Sequence, residues 1–305
     1  MKDTILLLGA GGFVGNALTR ALSEANVPLI AVGHHPVATA GKITSIDDTF
    51  DNPEQFARWL PECRAVVHCA SASTPGSSAG NPLQELDTNL RTTLALLQAL
   101  QDHPDCELLY LSSGGTLYGD AGADPATEHH IIRPKSYYGA GKAAAEHFIS
   151  AWTAQFSSRA TILRPSNLYG PGQTIRQGFG IVPTALDAAM KGTPLPIWGD
   201  GSTVRDYLYI VDFIRLCLDI LAAPMPAGTQ IMNAASGHGV SLNELLAHIE
   251  TVTGKPMTRH YQPGRSVDVS RIVLSPERAQ HRYGWSATTS LPTGLERTWA
   301  WYSAQ

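Results

Sequence analysis

The sequence predicts a doubly wound α/β fold followed by a smaller mixed α/β domain. Three observations carry this. Short apolar runs alternate with segments of helical spacing through the first half of the chain. A glycine triplet, Gly9, Gly12 and Gly15, follows directly on the first apolar run. After Arg164 and Pro165 the alternation stops, and prolines and glycines crowd residues 165–180 and 194–201.

Thr4 to Leu8 reads as a strand, and Asn16 to Leu22 as the helix beyond the glycine turn. In that setting one glycine permits the turn, one lets backbone N–H groups approach a pyrophosphate, and one lets the helix sit close to the sheet. The stretch therefore points to dinucleotide binding rather than to a plain tight turn. Residues 28–32 form a second strand. Dinucleotide folds usually carry an acid at its end for the adenosine ribose, but Gly33, His34 and His35 stand there. No carboxylate is present to repel a 2′-phosphate and two imidazoles could help bind one, so NADP stays open beside NAD, whose adenosine end a main-chain group or Asp47 would serve.

Residues 65–69 read as a buried third strand, followed by a small-residue loop over 70–80. Asn81 and Pro82 match an N-cap and the first position of a helix. Leu83, Leu86, Leu90, Leu94 and Leu97 form one apolar stripe for the core or a partner helix, with Asn89 beside it. A fourth strand, 106–111, runs into Ser112-Ser113-Gly114-Gly115-Thr116-Leu117-Tyr118-Gly119. The carboxyl end of a parallel strand is where open α/β sheets keep their ligands.

Ser136 to Lys142 opens the next helix. Helical spacing puts Tyr138 and Lys142 on one face, a turn apart. A free phenol holds its proton to a pH of roughly 10, and a neighbouring ammonium favours the phenolate, which suits tyrosine to act as a base. The helix runs through Phe156 to a strand over 160–163. Further helices are expected at 182–191, 211–222, 241–253, 276–283 and 291–301.

The bulk composition narrows the classes. At 305 residues, 43% hydrophobic and 16% charged, the chain can bury the core of one large or two modest domains. A net charge of −4 with no basic run argues against nucleic acid. Cys63, Cys69, Cys106 and Cys217 form no Cys-x2-Cys pair and read as reduced core thiols, with no metal site. The N-terminal apolar run is too short for a secretion signal, and none approaches the roughly 20 residues of a membrane span. A cytoplasmic protein without a membrane partner is expected.

Taken in order, these motifs resemble the extended short-chain dehydrogenase/reductase family in its nucleotide-sugar epimerase and dehydratase branch. The resemblance rests on the glycine triplet, Asn89, the stretch 112–119, Tyr138-x3-Lys142 and Arg164-Pro-Ser-Asn-Leu-Tyr-Gly-Pro-Gly172. Further on it rests on Gly199-Asp-Gly201, Arg205-Asp206, Asn233-Ala-Ala-Ser-Gly237 and Arg265-x2-Asp268. It implies a Rossmann-type doubly wound parallel sheet over 1–165, rejoined by a segment near 203–223, and a nucleotide-sugar-binding domain over most of 166–305. Tyr138 would be the acid/base, and Lys142 would lower its pKa and bond the nicotinamide ribose, with Asn89 supporting the site. Gly9, Gly12, Phe13, Val14, Gly15, His34, His35, Asp47, Ala70, Ser112 and Pro165 would line the cofactor. Asn167, Arg205 and Arg265 would take the substrate diphosphate, Asp268 would lie near the nucleotide ribose, and Ile272 would gate the sugar.

One departure stands out. Where the family places a serine or threonine for the reacting sugar hydroxyl, this chain has Gly114. Ser113 is the expected substitute, with Thr116 or a water as alternatives. The acid pair that dehydratases carry after that position is absent, as is the glutamate of decarboxylases. The resemblance therefore implies a nucleotide-sugar 4-epimerase with bound NAD, uridine being the default base, and a homodimer built on the 83–97 helix and the one after Lys142. Two alternatives are an NADPH-dependent reductase of 4-keto-6-deoxy sugar nucleotides and a non-catalytic cofactor-binding sensor or scaffold.

Overall fold

The structure, a computed structural model, describes residues 2–34, 42–74, 76–175, 180–264 and 269–305. The chain opens with β1 (Thr4–Leu8), α1 (Phe13–Glu24), β2 (Leu29–Val32), β3 (Ile43–Ile46), α2 (Pro53–Ala57) and β4 (Cys63–His68). Next come α3 (Pro82–Glu85), a π-helical turn (Leu86–Leu90), α4 (Arg91–Leu100), β5 (Glu107–Leu111), α5 (Gly114–Leu117), α6 (Tyr137–Phe156) and β6 (Arg159–Pro165). The later part holds β7 (Asn167–Tyr169), α7 (Ile181–Lys191), β8 (Leu195–Trp198), β9 (Val204–Tyr209), α8 (Ile210–Leu221) and β10 (Gly228–Ala234). It closes with β11 (Gly239–Ser241), α9 (Leu242–Thr253), β12 (Arg259–Gln262), β13 (Arg271–Ile272), α10 (Glu277–Tyr283) and α11 (Leu291–Tyr302).

Seven strands form one sheet in the order β10, β6, β5, β4, β1, β2, β3. β1 pairs in parallel with both β2 and β4, so the winding reverses there. Ile5 to Leu8 and Val66 to Val67 are buried, as strands covered on both faces require. Ligands of such sheets sit outside the strands' carboxyl ends at the reversal, and that is where the glycine turn lies.

The chain divides into two compact units. The first comprises 1–113, 136–164 and 214–232; the second comprises 114–135, 165–213 and 233–305. The returning segment therefore begins at 214, later than the sequence suggests. Residues 114–135 go with the second unit because they are bonded into it: Asp120 accepts from the Ser270 N–H at 2.6 Å, and Ala126 donates to the Val273 carbonyl. That unit carries β11, β9 and β13 side by side, with β7 also on β9, and its own core around Tyr169, Leu186, Leu245 and Leu295.

The expected leucine stripe splits in two. Leu83 is 68% exposed and Leu86 46%, whereas Leu97 is buried. The π-helical turn between them widens the helix and rotates the face, which a regular period cannot anticipate. Within the first unit, buried Arg164 and Glu146 form an ion pair, Nε to Oε1 at 3.0 Å, and Glu146 also accepts from the Ser112 hydroxyl. Removing one member of a buried pair strands the other's charge. Glu146→Gln should therefore cost on the order of 3 kcal/mol in urea unfolding, against less than about 1 kcal/mol for Lys2→Ala at the exposed Lys2–Asp105 pair.

Candidate active site

The glycine turn is built by backbone contact. Gly9 has φ +85°, and a Cβ there would stand 2.7 Å from Ala70 at the end of β4. A Cβ on Gly15 would stand 2.0 Å from the Gly9 carbonyl, so only glycine lets α1 approach the turn. Gly12 caps α1 without a side-chain bond, leaving the first-turn N–H groups of Phe13 and Val14 to an outside acceptor. This arrangement fits the pyrophosphate of a dinucleotide. At the second strand's end, exposed His34 bonds the Thr49 hydroxyl at 2.7 Å, and Asp47 is exposed just after β3. His35, Arg265 and Asp268 lie outside the described residues.

The tyrosine and lysine stand where α6 begins. Ser136 caps the helix by accepting from the Gly139 N–H, and the Tyr138 N–H donates to the Ser78 hydroxyl at 3.2 Å. The phenol of Tyr138 is hydrogen-bonded with the Ser113 and Ser71 hydroxyls. Lys142 is 4% exposed; its ammonium donates to the Leu111 carbonyl at 2.8 Å and to the Tyr110 hydroxyl at 3.4 Å. The ammonium lies 5.8 Å from the centre of the Tyr138 ring.

The electrostatics correct one expectation. Burial pushes the Tyr138 phenol up to about 12, Glu85 adds to the rise, and the two serine bonds only partly offset it. The neighbouring Lys142 ammonium does not bring the phenol below its ordinary value, as the spacing suggests it would. Burial brings the lysine itself down to about 8, against the pull of Glu85, Cys69 and Glu146. Desolvation of both groups outweighs their mutual effect.

Beside this pair lies a polar cluster of which the sequence pointed to Asn89 but not to Glu85 or Ser73. Glu85, 4% exposed, accepts from the Ser73 hydroxyl and from the Asn89 amide at 2.9 Å. Asn89 in turn donates to Ser73 Oγ at 2.6 Å and accepts from the Ala72 N–H at 2.8 Å. Asn89 thus holds the 70–74 loop that carries Ser71 to the phenol. A signal existed in the sequence: Glu85 and Asn89 are spaced i, i+4 on one helix, and Gly141 interrupts a helix interior, where glycine costs about 1 kcal/mol without a packing reason.

Ser112 is turned inward onto Glu146 at 2.5 Å, so its side chain does not face a ligand. Pro165 ends β6. In the second unit, Asn167 stands in β7 with its Oδ1 3.5 Å from where a Gly115 Cβ would be, and Thr116 sits in α5. Arg205 in β9 is the register partner of Ile272 in β13, and Asn167 is that of Tyr207. Ile272 is 2% exposed and packs with Tyr118 and Leu274, so it is a core residue of this unit and lines no open surface.

A profile of the NAD dependent epimerase/dehydratase family matches residues 5–235. The chain is 30% identical to a UDP-glucose 4-epimerase of Corynebacterium glutamicum, covering 98% of this chain and 96% of that protein. It is 24% identical to a dTDP-4-dehydro-6-deoxyglucose reductase of Escherichia coli, over 97% and 96% of the two chains. Its fold is similar to the UDP-glucose 4-epimerase of Thermus thermophilus solved in complex with NAD, with a TM-score of 0.91, 26% identity, and 98% and 99% coverage. The chain belongs to the NAD dependent epimerase/dehydratase family and is an enzyme of the extended short-chain dehydrogenase/reductase type.

The depressed lysine has a measurable consequence. Between about 8 and its ordinary value the folded state has shed the Lys142 proton and the unfolded chain has not, so stability rises with pH there. The unfolding free energy of the wild type should climb relative to Lys142→Met across that window. Parallel pH profiles for the two proteins would show that Lys142 keeps its ordinary value.

Proposed function

We propose that this chain is a nucleotide-sugar 4-epimerase that works with bound NAD, on a UDP-hexose or a UDP-N-acetylhexosamine. The observation that carries the reading is the Tyr138 phenol, bonded with Ser113 and Ser71 and set one turn from buried Lys142. Relatives named as UDP-glucose 4-epimerases span nearly the whole chain and support it.

Tyr138 Oη takes the proton of the C4 hydroxyl as that carbon is oxidised, and returns it when the carbon is reduced on its other face. When bound, NAD supplies the acceptor for the C4 hydride and a positively charged ring near the phenol. Ser113 holds the sugar hydroxyl in line with Tyr138, filling the place left by Gly114. Ser71 adds a second hydroxyl at the phenol, and Asn89 keeps the loop of Ser71 in position. Lys142, with two of its three donors directed to Leu111 and Tyr110, keeps one for the nicotinamide ribose. Gly9, Gly12, Phe13, Val14, Gly15 and Ala70 hold the pyrophosphate through backbone groups, and Asp47 serves the adenosine end. Asn167, Arg205 and Arg265 take the substrate diphosphate through charge-assisted bonds, and Asp268 takes the nucleotide ribose.

A second reading, reduction of a 4-keto-6-deoxy sugar nucleotide by NADPH, draws on two observations. No acid follows β2, where His34 stands, and the Escherichia coli reductase is among the relatives. The two readings part in one experiment: the dinucleotide released on denaturation is identified, and fresh enzyme is incubated with a panel of sugar nucleotides. Bound NAD and redox-neutral isomerisation are expected; stoichiometric consumption of added NADPH by a keto sugar would replace the epimerase reading. Tyr138→Phe should lower turnover by at least ~10²-fold and leave NAD binding intact. Unchanged turnover in the Phe variant would remove Tyr138 as the acid/base, and a wild type that binds NAD but turns over none of the sugar nucleotides would point instead to a cofactor-binding sensor or scaffold.

The same reading makes the protein a cytoplasmic homodimer. Leu94, Phe148 and Phe156 line a depression on the faces of α4 and α6 above the buried Leu97 and Trp152, and Phe148 is 48% exposed. A second copy would cover this surface and the exposed Leu83 and Leu86, in keeping with apolar patches marking interfaces. Light scattering should give twice the 32.7 kDa chain mass. A monomer mass at micromolar concentration would remove the dimer.

A further inference from the structure

We propose that Glu85 is a positioning residue for this reaction: its carboxylate, wedged against Gly141 in the helix turn that carries Tyr138 and Lys142, sets how readily both groups give up their protons, with and without the cofactor. The proposal rests on the epimerase reading for its kinetic assay alone.

The geometry is specific. A Cβ at Gly141 would stand 2.6 Å from Glu85 Oε1 and 2.8 Å from its Cγ, so the glycine in the middle of the Tyr-x3-Lys stretch is the space that the glutamate occupies. Acids are almost never buried unless they are paired with cations, yet the Ser73 hydroxyl and the Asn89 amide that bond Glu85 are neutral. Three residues at one packing site, Ser73, Asn89 and Gly141, are thus arranged around a carboxylate. The π-helical turn that starts just after it is an irregularity often found at functional sites.

Among the other titratable groups around the pair, Glu85 is the one that acts on both members. His68, at the end of β4, is brought down to about 3 by burial and by Lys142, and so is neutral. Cys69 beside it is pushed up to about 12 by burial and stays a thiol, and burial likewise raises Tyr110 on β5. Glu146, one turn along α6 from Lys142, is paired with Arg164 and acts on the lysine after Glu85 and Cys69. Glu85 raises both the Tyr138 phenol and the Lys142 ammonium. A negative charge at this point keeps the lysine charged in a place where burial would strip its proton. It also opposes ionisation of the phenol.

The sign of the effect follows. Replacing Glu85 by Gln keeps a hydrogen-bonding group and deletes the charge, so both neighbours should titrate at lower pH. In the NAD-loaded protein the Tyr138 titration, read as tyrosinate ultraviolet absorbance relative to a Tyr138→Phe background, should move down by about one unit, a tenfold rise in phenolate fraction at fixed pH. The acid limb of the kcat profile should move the same way, and Glu85→Asp should restore both. Gly141→Ala, which pushes the carboxylate off the helix, provides an independent variant and should shift the titration in the same direction. A Gln or Ala variant that folds, binds NAD and titrates Tyr138 as the wild type does would overturn the proposal, even if its turnover fell. The absorbance titration needs no substrate. A shift seen without epimerase activity would therefore sustain the role of Glu85 while the epimerase reading failed.

Discussion

The ammonium of Lys142 is almost wholly removed from water, and it has to find inside the protein what water would otherwise give it. The Leu111 carbonyl at the end of β5 and the Tyr110 hydroxyl supply two partners, and the Tyr110 ring, 4.8 Å away, supplies a third surface. These fix α6 against the carboxyl end of the sheet. Below it, Glu146 on the same helix clamps Ser112 and Arg164, joining β5 and β6 to α6 by a buried ion pair. Helix position, strand ends and lysine charge are therefore one constraint. Moving any of them leaves a charge or a carbonyl unpaired in the interior, at a cost of several kcal/mol.

That constraint decides the protein's acid–base state. Opposing effects act on Tyr138: burial and the Glu85 charge penalise the phenolate, and hydrogen bonds with Ser113 and Ser71 favour it. Burial wins in the protein alone, leaving the phenol at about 12, and each unit of such a shift corresponds to roughly 1.4 kcal/mol. A base near neutrality therefore requires a further positive charge close to the phenol. The free enzyme keeps its tyrosine protonated and its lysine poised at about 8. Readiness for proton transfer is coupled to occupation of the glycine-lined cleft.

Much of the fold was legible in the sequence because its signals are local. The glycine triplet after an apolar run, the Asn81-Pro82 start and the helices from Ile181 onward follow from turn chemistry and period. β3 was missed because Ile-Thr-Ser-Ile is a half-exposed edge strand with little apolar signal, and β10 because its pairing with β6 is set by topology. At the site, Tyr138, Lys142 and Ser113 stood out by motif. Glu85, Ser71 and Ser73 did not, because their importance lies in which side chains meet across distant segments. The phenol's value differs from what the spacing suggests for a physical reason: spacing shows that two groups are near, and only burial shows which of their ionised forms the protein tolerates.

The most direct measurement is the titration of Tyr138 itself, by NMR of protein carrying 13C at the tyrosine ring carbon that bears the hydroxyl, without and with NAD. In the free protein the Tyr138 resonance should stay that of a neutral phenol up to the pH at which the fold is lost, and with NAD bound it should titrate well below that of an ordinary tyrosine. A Tyr138 that ionises near neutral pH in the free protein, or one that NAD leaves unchanged, would contradict the claim that burial holds the proton and the cofactor's charge releases it.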